Sequence, residues 1–424
     1  MLNNNQEMFL AMLRAGLWEH SANKPTKMNI ETLKYYIQSA NINFLYGSGL
    51  SRPFLSTLGD IEKWLTELNE RRQRDGEQVK YAVVEASILK LYFETVMLPN
   101  LSPAGADYET TKGEYQRFLS VWNDLVNKRS SRLVGKQVNL FTTNVDMMME
   151  RASLGYGVEL NDGFHGTIEQ VYDAGNFQKT VSKTSLHFQN VSDIPVFNLI
   201  KIHGSINWRE EHDSIKNDIG LPTVAAVRDA LAGIGTANFI TTTKAGGTAK
   251  SLDEMVNDAE ALALANADVF NPFFEEYRKM VMINPTKRKF KESVIDHHFY
   301  ELMRQYSNNL EKENTLLLVS GFSFADEHIA DITRRAANTN PTLHIVVFAF
   351  NDGDGATIKS NLKLRDVSLN NNIVILTPTE FKSQNSASQD KRYKDFADAM
   401  TNFDFATVNN LFELIGKGIV VYGK

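Results

Sequence analysis

Apolar positions along this chain follow two rhythms. Six short runs are almost continuously apolar: 42–47 (INFLYG), 138–144 (VNLFTTN), 196–204 (VFNLIKIHG), 315–322 (TLLLVSGF), 343–350 (LHIVVFAF) and 372–378 (NIVILTP). Continuous rather than alternating runs predict parallel strands covered on both faces. Between them the apolar residues return at helical spacing. Ile61, Trp64, Leu65 and Leu68 do so in one segment, and Ile329, Ile332 and Ala336 in another. Strands alternating with helices predict an α/β fold: a doubly wound, mostly parallel, Rossmann-like sheet with helical insertions forming a smaller domain.

Two stretches break the alternation. Residues 63–135 read as mostly helical, and residues 210–280 as a Gly/Thr-rich loop followed by helix. The predicted organisation is therefore an N-terminal helical extension (1–41) and a discontinuous sheet domain (42–62, 136–209 and 281–380). The insertions 63–135 and 210–280 form the smaller domain, and a C-terminal helical segment (381–424) ends in a short strand.

Composition narrows the chemistry. The 424 residues are 42% hydrophobic and 23% charged, with a net charge of −6. No excess of positive charge advertises nucleic-acid or anionic-membrane binding. There is no cysteine, which removes disulfides, thiol nucleophiles and Cys-ligated zinc or iron–sulfur centres. The nine histidines show no metal-ligand spacing; His297-His298 reads as a solvated helix face and the basic run 286–292 likewise. The N-terminus lacks a signal-peptide pattern, and no run reaches the roughly 18 apolar residues of a spanning helix. The expected location is the cytoplasm.

Four of the predicted strands end in small or polar loops, at the edge where open α/β sheets bind ligands. The first ends in Gly47-Ser48-Gly49-Leu50-Ser51, which reads either as a diphosphate cradle or as a tight turn. It is neither the G-x-G-x-x-G fingerprint nor a P-loop. The second ends in Thr142-Thr143-Asn144-Val145-Asp146, where Asn144 or Asp146 is a ligand-facing residue or an N-cap of a helix beginning at 145 or 146. The third ends at His203 before Gly204-Ser205, a catalytic or a structural histidine. The fourth ends in Ser320-Gly321-Phe322-Ser323, with Asp326 near a helix start.

In order, YGSGLS, FTTNVD, NDGFHG, KIHGSINW, NPTKRKF and GFSFADEHI resemble the motifs of the sirtuin-like family, over about residues 42–350. The resemblance is nearest to its bacterial branch of NAD-consuming anti-phage proteins. It implies an NAD+ glycohydrolase that cleaves the nicotinamide–ribose bond, with Asn144, His203 and Asp146 catalytic. Gly47, Ser48, Gly49, Ser51, Thr143, Gly321 and Ser323 would contact NAD. Two departures matter. The family's deacylases carry four zinc-binding cysteines, absent here, so no zinc is expected; and the 210–280 insertion is extra. Deacylation of acyl-lysine and non-catalytic binding of NAD or ADP-ribose remain the alternatives. The resemblance also implies a homo-oligomer and a HerA-type hexameric ATPase as partner; the charge and the length of the apolar runs predict neither direct nucleic-acid binding nor membrane contact.

Overall fold

The computed structural model describes residues 28–129, 134–212, 214–283, 294–364 and 371–419. The motif at 284–290, the basic run at 286–292, residues 1–27 of the N-terminal extension and the strand expected at the C-terminus lie outside the described residues.

In chain order the strands are β1 Asn41–Tyr46, β2 Gln137–Thr142, β3 Glu159–Asn161, β4 Phe164–His165, β5 Val171–Tyr172, β6 Val181–Thr184, β7 Val191–Ile194, β8 Val196–Lys201, β9 Trp208–Glu211, β10 Ser214–Asn217, β11 Thr315–Ser320, β12 Leu343–Phe348 and β13 Ile373–Leu376. Seven form one sheet in the order β13-β12-β11-β1-β2-β8-β3. Every pairing in it is parallel. All six predicted strands are in this sheet. The seventh, β3, is a three-residue edge strand too short to announce itself by pattern.

The apolar runs are continuous because both faces are covered. On one face, Phe44, Leu140, Leu199 and Leu318 pack under the helices Ile30–Ser39, Ala106–Asn127 and Phe405–Lys417. On the other, Leu45, Phe141, Ile200 and Leu317 pack under the helices Val294–Glu311 and Glu327–Thr339. A polar row crosses the sheet. Asn43, Asn139, Asn198 and Asn161 are in register on β1, β2, β8 and β3. Their amides bond one to the next at 2.8, 3.0 and 3.1 Å. This ladder satisfies the polar groups that otherwise interrupt buried strands.

The first insertion divides. Its helices Ile61–Asp75 and Val79–Tyr92 join the helices Pro222–Ala232, Leu252–Ala261 and Asn271–Tyr277 in a second core built on Trp64, Val84, Phe93, Met255 and Phe273. The helix Ala106–Asn127 instead contributes Tyr115, Phe118 and Trp122 to the sheet core. Residues 164–217 hold two small antiparallel sheets, β4-β5-β10-β9 and β6-β7, that the sequence reading does not contain. Among the described residues no helix is long and apolar enough to cross a membrane.

The order places β1 between β2 and β11, so the direction of winding reverses between β1 and β11. A crevice outside the carboxyl ends of strands at such a point is the usual ligand position of open α/β sheets.

Candidate functional site

The two loops at the reversal point are interlocked. Gly47 N donates to Ser320 O at 3.3 Å and Gly49 N donates to Gly321 O at 3.1 Å. A Cβ on Gly47 would lie 2.6 Å from Gly321 O, and one on Gly49 2.8 Å from Gly321 Cα. Gly321 has φ +63°, and a Cβ there would lie 2.8 Å from Leu50 N. The glycine spacing is thus required by packing of one loop on the other. The amides of Gly47 and Gly49 are engaged by carbonyls rather than left as a cradle for an anion. After β1 the chain makes one short turn, Ser48–Ser51, and the next α-helix starts only at Ile61.

Ser51 is 1% exposed, closed to a diphosphate. Its hydroxyl donates to Asp146 Oδ2 at 2.8 Å, faces Tyr115 Oη at 3.1 Å and accepts from Asn144 Nδ2 at 3.3 Å. The structure therefore unites Ser51, Asn144 and Asp146, and adds Tyr115 from the helix Ala106–Asn127. Burial first, and Asp146 next, push the Tyr115 phenol well above its ordinary range, so it stays a donor. Asp146 Oδ1 accepts from Met148 N at 2.9 Å, which holds the first turn of the helix Met148–Ser153. That helix starts two to three residues later than the sequence predicts, because Asn144 to Met147 are drawn into the loop.

Register fixes the height of the two catalytic candidates. Thr142 on β2 is paired with Lys201 on β8. Asn144 and His203 each follow two residues later, on neighbouring parallel strands. Thr142 Oγ1 accepts from Asn144 N at 3.0 Å and donates to Tyr46 O at 2.9 Å, tying the Asn144 backbone to β1. Among the described residues no hydrogen bond or ion pair joins His203 to Asn144 or Asp146.

His203 has a different neighbour. Its Nε2 lies 3.0 Å from Asp326 Oδ2, with side-chain exposures of 15% and 7%. The pair is close without the alignment of a hydrogen bond. Asp326 is also the N-cap of the helix Glu327–Thr339, its Oδ1 accepting from His328 N at 2.9 Å and Ile329 N at 3.1 Å. Of the remaining predicted contact residues, Ser48 and Thr143 are half-buried, and Gly321 and Ser323 are exposed.

Beneath the edge lies a group the sequence reading did not single out. Lys201 Nζ is 2.5 Å from Glu150 Oε1. It donates to Ser205 Oγ at 2.7 Å and to Asp146 O. Burial pushes the Glu150 carboxyl up, and Lys201 opposes that shift. A lysine inside the apolar run FNLIKIHG was the available signal. At the end of β3, burial likewise raises the Asp162 carboxyl, against the hydrogen bond from Phe164 N at 3.1 Å.

His297 is exposed, and His298 packs edge-on to the Tyr172 ring at 5.9 Å. Among the described residues no group of three or more His, Asp or Glu is placed to hold a metal ion. Compared with known proteins, the chain matches no family model and no curated sequence.

Proposed function

We propose that this protein is an NAD+ glycohydrolase, cleaving NAD+ to ADP-ribose and nicotinamide. The observation that carries the reading is the placement of Asn144 and His203. They stand at one height on adjacent parallel strands, one and two strands from the winding reversal. The motif resemblance supplies the substrate class.

The chemistry suits these side chains. Water attacks C1′ of the nicotinamide ribose, and the C1′–N bond breaks with its electron pair passing to nicotinamide. The leaving group departs neutral, so no acid is needed. What the site must supply is orientation, a placed water and negative potential near a cationic transition state. Asn144 Nδ2 is held by Ser51, while its Oδ1 accepts no hydrogen bond among the described residues. That oxygen is available to a ribose hydroxyl or the water. His203 takes the proton from the water, directly or through a ribose hydroxyl. Asp146, bonded at both oxygens, orients the loop and contributes negative charge. Ser48 and Ser323 are the loop hydroxyls left for the diphosphate.

Under this reading the protein acts in anti-phage defence by depleting NAD+. A freely active form would be toxic, so turnover is gated by self-assembly or by a HerA-type ATPase partner. Incubation with NAD+, with and without acyl-lysine peptide, and alone or with the neighbouring gene product, tests the reading. Release of nicotinamide without peptide is expected. Release only with peptide would make it a deacylase, and binding without release a sensor module.

A further inference from the structure

We infer that Lys201 is a positioning residue, a buried ammonium that clamps the loop carrying Asn144 and Asp146 to the loop carrying His203. The functional part of this inference rests on the NAD-cleaving reading; the clamp itself does not.

A lysine 4% exposed inside a sheet is costly unless all three N–H groups find partners. Here three elements supply them. Glu150 Oε1 comes from the helix Met148–Ser153, Asp146 O from the β2 loop and Ser205 Oγ from the β8 loop. Ser205 in turn faces Val145 O at 3.2 Å and Asn207 Oδ1, and Ile206 N donates to Val145 O at 3.1 Å. The two loops are therefore stitched on both sides of the ammonium. Lys201 is also the residue through which β8 is registered on Thr142 of β2. Its side chain holds the loops at the height that its backbone sets.

A neutral residue of the same length could fill the space and leave the strand intact. It could not hold Asp146 O and Ser205 Oγ together, because it lacks donors. Loss of the clamp frees the loops to shift relative to each other. A displacement near 1 Å between reacting groups costs on the order of a hundredfold in rate. The partners of Lys201 are Glu150, Asp146 and Ser205 rather than Ser48 or Ser323, the hydroxyls proposed for the diphosphate, so NAD+ binding is largely spared.

Lys201→Met alone leaves the Glu150 charge buried without a partner and risks unfolding. The test therefore uses the Lys201→Met/Glu150→Leu double variant, which removes both charges, beside the full-length wild type. Hydrogen exchange is measured by mass spectrometry on peptides from 142–150 and 201–209, with 315–320 and 343–348 as controls. Faster exchange confined to the first pair is expected. In NAD+ turnover, kcat should fall by at least about tenfold, with KM changed by less than about threefold. If the double variant folds and both loops exchange as in wild type, the clamp is overturned; if the loops loosen and kcat is unchanged, the positioning role is overturned. If global unfolding accelerates exchange everywhere, Lys201→Met/Glu150→Gln replaces it under the same criteria, and general loosening there also overturns the proposal. Should wild type cleave no NAD+ alone or with its partner, the functional reading falls while the exchange experiment still decides the clamp.

Discussion

Ser51 Oγ donates to Asp146 Oδ2 at 2.8 Å, joining residues 95 positions apart. This bond ties the β1 loop to the β2 loop from inside the protein. It makes Ser51 an organiser of Asn144 and Asp146 rather than a contact for the diphosphate. Ser51→Ala should leave Asp146 and Tyr115 each short of a partner, costing about 1–3 kcal/mol in stability. NAD+ turnover should fall by about tenfold or more, with KM little changed. Denaturant unfolding and steady-state kinetics check this. A rise in KM alone would instead return Ser51 to direct contact with NAD+.

Asn144→Ala and His203→Ala should each abolish NAD+ cleavage and leave the far-ultraviolet circular dichroism of wild type. Both residues stand beyond strand ends, outside the apolar clusters. Turnover near wild type in either folded variant would remove that residue from the mechanism.

Gly49 has backbone rather than open space at its Cβ position, 2.8 Å from Gly321 Cα. Gly49→Ala should therefore already destabilise the protein, by about 1–3 kcal/mol, and Gly49→Val by more. Thermal unfolding of the two variants measures this. Weakened NAD+ binding at unchanged stability would show instead that the space belongs to a ligand.

Asp326 accepts from the helix amides of His328 and Ile329 and faces the ring of His203. Asparagine caps a helix about as well as aspartate, whereas alanine costs about 1 kcal/mol. Asp326→Asn should therefore keep stability while lowering turnover, and Asp326→Ala should lose both. Full activity in Asp326→Asn would reduce the carboxylate to a cap.

NAD+ cleavage should persist after extensive chelation, given a chain without cysteine and the metal-poor grouping of its described residues. Activity measured before and after EDTA treatment checks it. Loss restored by zinc would point to a metal site.

Much of the fold was legible because buried parallel strands write themselves as continuous apolar runs. Residues 315–320 are TLLLVS, all six buried, and no other element fits such a segment bounded by turn residues. Residues 159–161 and the short strands of 164–217 were not legible. Two to four residues carry no period, and those of β6 and β7 are also largely exposed. The four polar strand ends were also readable, since a buried strand that stops at Asn144 or His203 must place that residue at the sheet's edge.

Tertiary structure decided which of those ends meet. The pairing Thr142 to Lys201 is a fact of register between segments about 60 residues apart, and no local pattern encodes it. Sequence left Gly47 and Gly49 as either room for a ligand or a tight turn, because a missing Cβ looks the same whatever fills its place. The structure fills it with Gly321. Tyr115, Lys201 and Glu150, and the pairing of Asp326 with His203, are not legible in sequence for a related reason. Each looks ordinary in its own segment, a tyrosine or a charge on a helix or a lysine in a strand. Its role exists only where chain from elsewhere brings the partner that satisfies a buried polar group.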